Sequence, residues 1–191
     1  MGARKLAIVM GVCFGILGAA PGHAQQLHDK IVYNPGTKSY FEVKDIASVR
    51  FLMARADIKV AEWRDADKIA EKLTYKDTHG RLAVVKDLET HDFILKNFLP
   101  YDDAWIGLRY WCATKRLQFN DGTFWQPGGF HAWAETWNQG GALSCMEWNT
   151  YGIPQYMPVA YNPVSEGFRW IAKEWHKGYA LMIVEYPTGH P

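Results

Sequence analysis

The stretch Trp105-Ile106-Gly107-Leu108, which runs on through Arg109, Tyr110 and Trp111, decides how this 191-residue chain is read. It follows an acidic turn at Tyr101-Asp102-Asp103 and mixes aromatic with aliphatic side chains, the composition of a buried β-strand. Gly107 inside it marks a place where a neighbouring element packs against bare backbone, because a Cβ there would intrude. Before this strand the pattern is helical. After it the chain is crowded with tryptophan, glycine and proline.

Working back from the strand, residues 62–73 predict an amphipathic helix, with Trp63, Ala66, Ile69, Ala70 and Leu73 on one face and Arg64, Asp65, Lys68, Glu71 and Lys72 on the other. A second helix is predicted after Asp87, a suitable N-cap. Leu88, Ile94, Leu95, Phe98 and Leu99 would line its buried face until Pro100 stops it. His91 lies near that face and reads as a hydrogen-bonded or solvated packing residue. Nearer the start, residues 31–33 and 39–43 read as two short strands around the turn Asn34-Pro35-Gly36. Residues 44–59 are ambiguous between helix and strand and read as an insertion packing against that hairpin.

Working forward, Phe119-Asn120-Asp121-Gly122-Thr123-Phe124 holds the strongest short hairpin signal in the chain. From there to Gly178, glycines and Pro127, Pro154, Pro158 and Pro163 interrupt every apolar run, so the segment reads as loop held by aromatic anchors. Residues 179–186 then predict a closing buried strand. Seven of the nine tryptophans fall between Trp111 and Trp175.

This order of elements resembles the C-type lectin-like domain: an opening hairpin, two helices, a Trp-Ile-Gly-Leu strand, an Asn-Asp-Gly turn, a late Cys and a terminal Ile-Val-Glu-Tyr. The resemblance covers about residues 31–187. It implies an α+β fold in which two helices flank small antiparallel β-sheets, with a long Trp/Gly-rich loop region and a closing strand paired to the opening one. It also implies that Trp133 and Trp170 serve as the core of the loops.

In the sugar-binding members of that family a calcium ion is held by a Glu-Pro-Asn or Gln-Pro-Asp triplet, by an acid shortly before the late-strand Cys, and by the Asn-Asp of Trp-Asn-Asp. Ca²⁺ needs six to eight oxygen ligands, and sugar hydroxyls complete that shell. Here the corresponding positions read Glu135-Thr136-Trp137-Asn138, Leu143-Ser144 before Cys145, and Trp170-Ile171-Ala172. Two of the three ligand groups lack side-chain oxygens of the required kind, so no cofactor, and no calcium at the standard site, is expected.

The recognition residues expected instead are Glu135, Trp137, Asn138, Glu147 and Asn149, because an indole offers a flat apolar face to a pyranose ring while carboxylates and amides bond its hydroxyls. A carbohydrate is the expected ligand. A protein partner bound by the same aromatic loops, as in an adhesin, is the alternative. No enzyme is expected: the chain has no Gly-x-Ser-x-Gly elbow, no His-Glu-x-x-His and no phosphate-binding glycine loop. Glu135 and Glu147 as a glycosidase pair are set aside, since acids beside aromatics are common in binding loops.

Residues 1–24 read as a secretory signal peptide. Arg4 and Lys5 precede an uncharged apolar run shorter than a membrane span, and Gly22-His23-Ala24 supplies small residues for cleavage. Met10-Gly11-Val12 before Cys13 makes a poor lipobox. A single domain over residues 25–191, periplasmic or secreted, is then expected. Of the 21 basic side chains two lie in the leader, leaving 19 against 20 acids, a formal charge of −1. Interspersed charge of this kind offers no surface for nucleic acid, and no later apolar run is long enough for membrane insertion. Cys112 and Cys145 remain as an even pair in an oxidising compartment, for which a disulfide is the default. The resemblance adds that the central strand and the Cys145 strand would be neighbours in one sheet, close enough to bridge.

Overall fold

The computed structural model describes residues 30–52, 59–135, 156–174 and 176–191. An opening hairpin, β1 (Val32–Asn34) and β2 (Ser39–Asp45), turns at Asn34-Pro35-Gly36, where Asn34 Oδ1 accepts from Gly36 N at 2.9 Å. The ambiguous stretch after it starts as a single helical turn, α1 (Ile46–Val49), whose Ile46 and Val49 are buried, followed by a 3-10 turn, Arg50–Leu52. Next come β3 (Ala61–Glu62), α2 (Trp63–Lys72), the ribbon β4 (Thr74–Tyr75) and β5 (Thr78–His79), β6 (Arg81–Leu82) and α3 (Leu88–Phe98). The central strand is β7 (Ala104–Trp111), followed by β8 (Arg116–Phe119), β9 (Tyr156–Tyr161), β10 (Trp170–Ala172), β11 (Gly178–Tyr179) and β12 (Leu181–Tyr186).

The main sheet runs β1-β2-β12-β7-β9-β10, with β6 on β12 and β8 on β7. It is mixed, where small antiparallel sheets were expected: β12 and β7 run parallel through Leu181↔Ala104 and Met182↔Trp105, and the other ladders are antiparallel. The closing strand pairs with β2, the inner strand of the opening hairpin, from Leu181↔Asp45 to Tyr186↔Tyr40.

Both faces of this sheet are covered, which explains the unbroken apolar run of β12. Its Leu181 and Ile183 join Phe41, Val43, Ile106 and Leu108 under α3 and the loop core. Met182, Val184 and Tyr186 join Tyr40, Trp105 and Ala160 under α2. One polar residue interrupts the run. Glu185 is buried and accepts from Ser39 Oγ, from the Val84 amide and from Arg81 twice, so its charge is paired and its oxygens are satisfied.

The helix α2 buries Trp63, Ala66, Ile69 and Ala70, as the spacing predicts. Asp87 caps α3 by accepting from Thr90 N at 2.7 Å. The buried stripe of α3 is Thr90, His91, Ile94 and Phe98. Leu88 and Leu99, expected on that face, stand at the two ends of the helix and are 58% and 46% exposed. Leu99 is the C-cap and takes a left-handed conformation that turns it outward.

Gly107 is constrained as expected. A Cβ there would lie 2.3 Å from the Leu82 carbonyl oxygen, where the segment between β6 and α3 crosses β7 and Gly107 N donates to Ala83 O at 2.8 Å. The Asn-Asp-Gly turn also forms: Gly122 takes φ +83°, and Phe119 N donates to Thr123 O at 2.9 Å.

The downstream half departs from the loop reading. Residues 156–161 form β9, one of the best-paired strands of the sheet, and residues 170–172 form β10 beside it. β9 fills one edge of β7, and β12, the Gly107–Ala83 contact and β8 fill the other. The resemblance implied the Cys145 strand as sheet neighbour of the central strand; Cys145 lies outside the described residues.

Candidate functional site

Of the five recognition residues expected from the sequence, the structure places Glu135, which is exposed at the foot of the long loop. Trp137, Asn138, Glu147 and Asn149, with Cys145, lie outside the described residues. What the structure brings together is the base from which residues 136–155 leave and the end of the sheet to which the chain returns.

The departure side is built from interlocked rings. Trp170 N donates to Ala132 O at 2.6 Å and Ala134 N donates to Trp170 O at 3.0 Å, which seats Trp133 beside Trp170 in a parallel bridge just before Glu135. The Trp133 and Trp170 rings meet edge to face at 5.5 Å, and Phe130 meets Trp170 likewise at 5.6 Å. Trp125 Nε1 donates to Phe130 O at 2.8 Å, which closes a small lobe over the sheet. The Tyr161 and Phe168 rings stack at 3.9 Å. Trp133 and Trp170 thus do the core work that the resemblance assigned to them.

His91 reaches into this lobe from α3 and shares a 2.8 Å hydrogen bond between its Nδ1 and the Tyr161 hydroxyl. Its ring packs against Phe130 and Phe168. Burial holds its pKa below the usual imidazole value, and burial pushes the Tyr161 phenol up, so both groups stay neutral at pH 7.

The return side carries a cluster that the sequence reading did not assemble. Period-two alternation sets Trp105, Gly107, Arg109 and Trp111 on the α2 side of β7. Trp63 at the start of α2 donates from Nε1 to Ile106 O at 2.7 Å, and Trp105 Nε1 donates to Ala61 O at 2.7 Å, so the helix start is pinned to the strand. The Arg109 guanidinium lies 5.3 Å from the Trp63 ring and 4.8 Å from the Trp111 ring. Tyr156, which opens β9, meets both indoles edge to face at 5.6 Å.

Polar groups surround these rings. Gln118 Oε1 accepts from Trp111 Nε1 at 2.8 Å and from the Arg109 fork only at 3.5 Å, while Gln118 Nε2 donates to Gly122 O. Asn120 Nδ2 donates to Asp67 Oδ1 at 2.5 Å, joining the Asn-Asp-Gly turn to α2. Burial, helped by the neighbouring Glu71, raises the Asp67 carboxyl to about 6 despite that hydrogen bond and the nearby Arg109 charge. Arg109 Nε is buried and finds no hydrogen-bond partner. One signal for the cluster was available, the Arg109-Tyr110-Trp111 continuation of the central strand; the arrival of Trp63 and Asp67 beside it depends on how α2 docks.

The standard calcium site does not fit. Trp170-Ile171-Ala172 forms β10 with Trp170 and Ala172 buried, which presents an indole, a butyl group and a methyl group where oxygens are needed. The strand between β7 and β10 brings Tyr156, Met157, Pro158 and Val159, none of them a carboxylate. Among the described residues no three His, Cys, Asp or Glu side chains are grouped to hold a metal.

No family model matches the chain, and no curated protein matches it. Solved structures do match. Human lithostathine is 12% identical, with a TM-score of 0.55 over 90% of this chain and 97% of its own. The Ca²⁺-independent C-type lectin SPL-2 from Saxidomus purpuratus is 16% identical, with 0.52 over 84% and 93%. The C-type carbohydrate-recognition domain of cow CD23, solved in the presence of an oligosaccharide, is 16% identical, with 0.51 over 82% and 92%. At these identities the likeness establishes the fold, which is C-type lectin-like.

Proposed function

We propose, from a chain with the C-type lectin-like fold, that it is an exported carbohydrate-binding module working through aromatic and amide side chains of its long loop, without the calcium shell. The observation that carries this reading is the indole-packed base at Ala132–Glu135 and Trp170, which holds the start of a segment carrying Trp137, Asn138, Glu147 and Asn149. A rigid base lets a loop present a fixed face to a ligand, so less ordering entropy opposes binding. One of the similar structures is itself named a Ca²⁺-independent lectin, which supports the same direction.

A glycan array, run with the mature protein in calcium and again in chelator, tests it. Binding to saccharides that is unchanged by chelator and weakened about tenfold or more by Trp137→Ala is the expected result, since one stacking indole supplies on the order of 1–2 kcal/mol. Chelator-sensitive binding would overturn the calcium-free mode. Binding only to a protein surface would favour an adhesin that uses the same loops.

A further inference from the structure

We propose that the Arg109 cluster, where the long loop returns to the sheet, is a subsite for an acidic saccharide, with the Arg109 guanidinium receiving the carboxylate of a uronic-acid unit. The inference rests on the carbohydrate reading above and specifies the ligand class for a second part of the molecule. Arginine carries five N–H donors in a planar fork suited to a carboxylate. Here the Nε is unpartnered and buried, and among the described residues the one hydrogen bond of the fork is the 3.5 Å approach to a Gln118 oxygen already engaged by Trp111. No carboxylate of the described residues lies within ion-pairing distance of it.

Asp67 does not consume the charge. Its Oδ1 is committed to Asn120, and it stands in the half-buried shell beside Glu71. A guanidinium held between two indoles, half-exposed and with unused donors, is an acceptor-seeking group at a fixed position.

The walls favour a sugar over a simple anion. Trp111 is half-buried, so part of its indole remains for pyranose C–H groups, and Tyr156 meets it edge to face at 5.6 Å. Gln118, fixed between Trp111 Nε1 and Gly122 O, borders the Arg109 fork with an amide of the kind that bonds hydroxyls. The charged groups around the subsite are Arg109 on β7, Glu62, Arg64, Asp67 and Glu71 at and along α2. Their signs are mixed, so nonspecific attraction of polyanions is weak, and selectivity falls to the Arg109 fork.

Calorimetry on the mature protein decides it, with three probes: a galacturonic-acid trisaccharide, its methyl ester, and a pentaglutamate peptide. The acid trisaccharide is expected to bind about tenfold or more tightly than the neutral ester, the loss matching a charge-assisted bidentate contact. Arg109→Gln should erase that preference and Arg109→Lys should retain part of it, with melting temperature and near-ultraviolet dichroism confirming the fold of each. Trp137→Ala should leave the preference intact. Equal binding of acid and ester, or an Arg109→Lys protein as selective as the parent alongside an equally selective Arg109→Gln protein, overturns the inference. Pentaglutamate bound as tightly as the trisaccharide also overturns it, in favour of an acidic peptide. If neutral glycans bind and the acid trisaccharide does not, this subsite fails while the lectin reading stands. If no saccharide binds at all, both fail.

Discussion

Asp67 sits on the flank of α2 where burial, more than any neighbour, keeps a proton on its carboxyl up to a pH of about 6, against 3.8 for the free side chain. A group whose folded pKa lies above its unfolded one binds protons more tightly in the folded state. Its ionisation therefore works against folding: this group's contribution to stability is full below the unfolded value of 3.8, declines as pH rises toward 6, and is gone above that. Asp67→Asn removes this slope and keeps an Oδ1 to accept from Asn120. The variant is expected to be more stable than the parent at pH 7 by on the order of 1 kcal/mol, allowing for solvent screening of a partly exposed group, and about equal to it at pH 4. Melting curves at the two pH values measure it, with a gain of about 2–4 °C expected at pH 7 only. An equal gain at both would assign the effect to packing. The carboxyl kept here, at a cost in stability, sits near Arg109, whose Nε is buried without a hydrogen-bond partner, which fits a place used for binding more than one used for holding the fold.

At the scale of elements, His91 of α3 reaches into the aromatic lobe around Tyr161, and the link is sensitive to acid. His91 is 6% exposed among Phe130, Tyr161 and Phe168, with Asp92 and Arg169 as its charged neighbours acting in opposite directions. Its folded pKa is depressed by burial, so the unfolded chain takes up the proton first. The stability it contributes is complete above the unfolded value of 6.5 and is lost as pH falls below that toward the folded value. His91→Gln, which can still bond the Tyr161 hydroxyl, should flatten the melting-temperature profile between pH 6.5 and 5, whatever it costs at pH 7; a parent profile flat across that range would contradict the idea. This link was half legible. The sequence placed His91 near the buried face, but its partners come from a region read as loop. Residues 156–161 are not legible as a strand because Pro158 interrupts their apolar run. In the sheet Pro158 falls where the β7–β9 ladder shifts register between Trp105↔Ala160 and Arg109↔Pro158, a place where the missing N–H interrupts no regular pairing. Elements with strong local periodicity, α2 and β7, were readable for the opposite reason: each states its buried face within a dozen residues. The Arg109 cluster was not, because Trp63, Asp67, Gln118 and Tyr156 come from four elements that only docking brings together.

For the molecule as a whole, the open structural matter is how the segment 136–155 is tied to the sheet. It departs at Glu135 from the Trp133–Trp170 bridge and returns at Tyr156 opposite Trp111 in the β7–β9 ladder. Cys112 directly follows that Trp111 and is a disulfide-bonded, half-buried residue. Once a leader ending at Ala24 is removed on export, Cys145 is the other cysteine of the chain. We therefore expect a Cys112–Cys145 bond that fastens the middle of the segment 136–155 to the end of the central strand. The cysteines are 33 positions apart, and closing a loop of that size stabilises by roughly 3–4 kcal/mol in the chain-entropy model. Cys112→Ala and Cys145→Ala should then lower the melting temperature by the same amount, about 6–12 °C for a domain of this size, and the double variant should be no worse than either. Because the bond would also fix the face carrying Trp137 and Glu147, reduction should weaken saccharide binding while leaving α2, α3 and the main sheet folded, as far-ultraviolet dichroism would register. Mass spectrometry of the exported protein checks the premise, a start at Gln25 and a mass two hydrogens short of the dithiol. Two free thiols in the folded, exported chain would refute the bond, and the loop would then depend on its indole base alone.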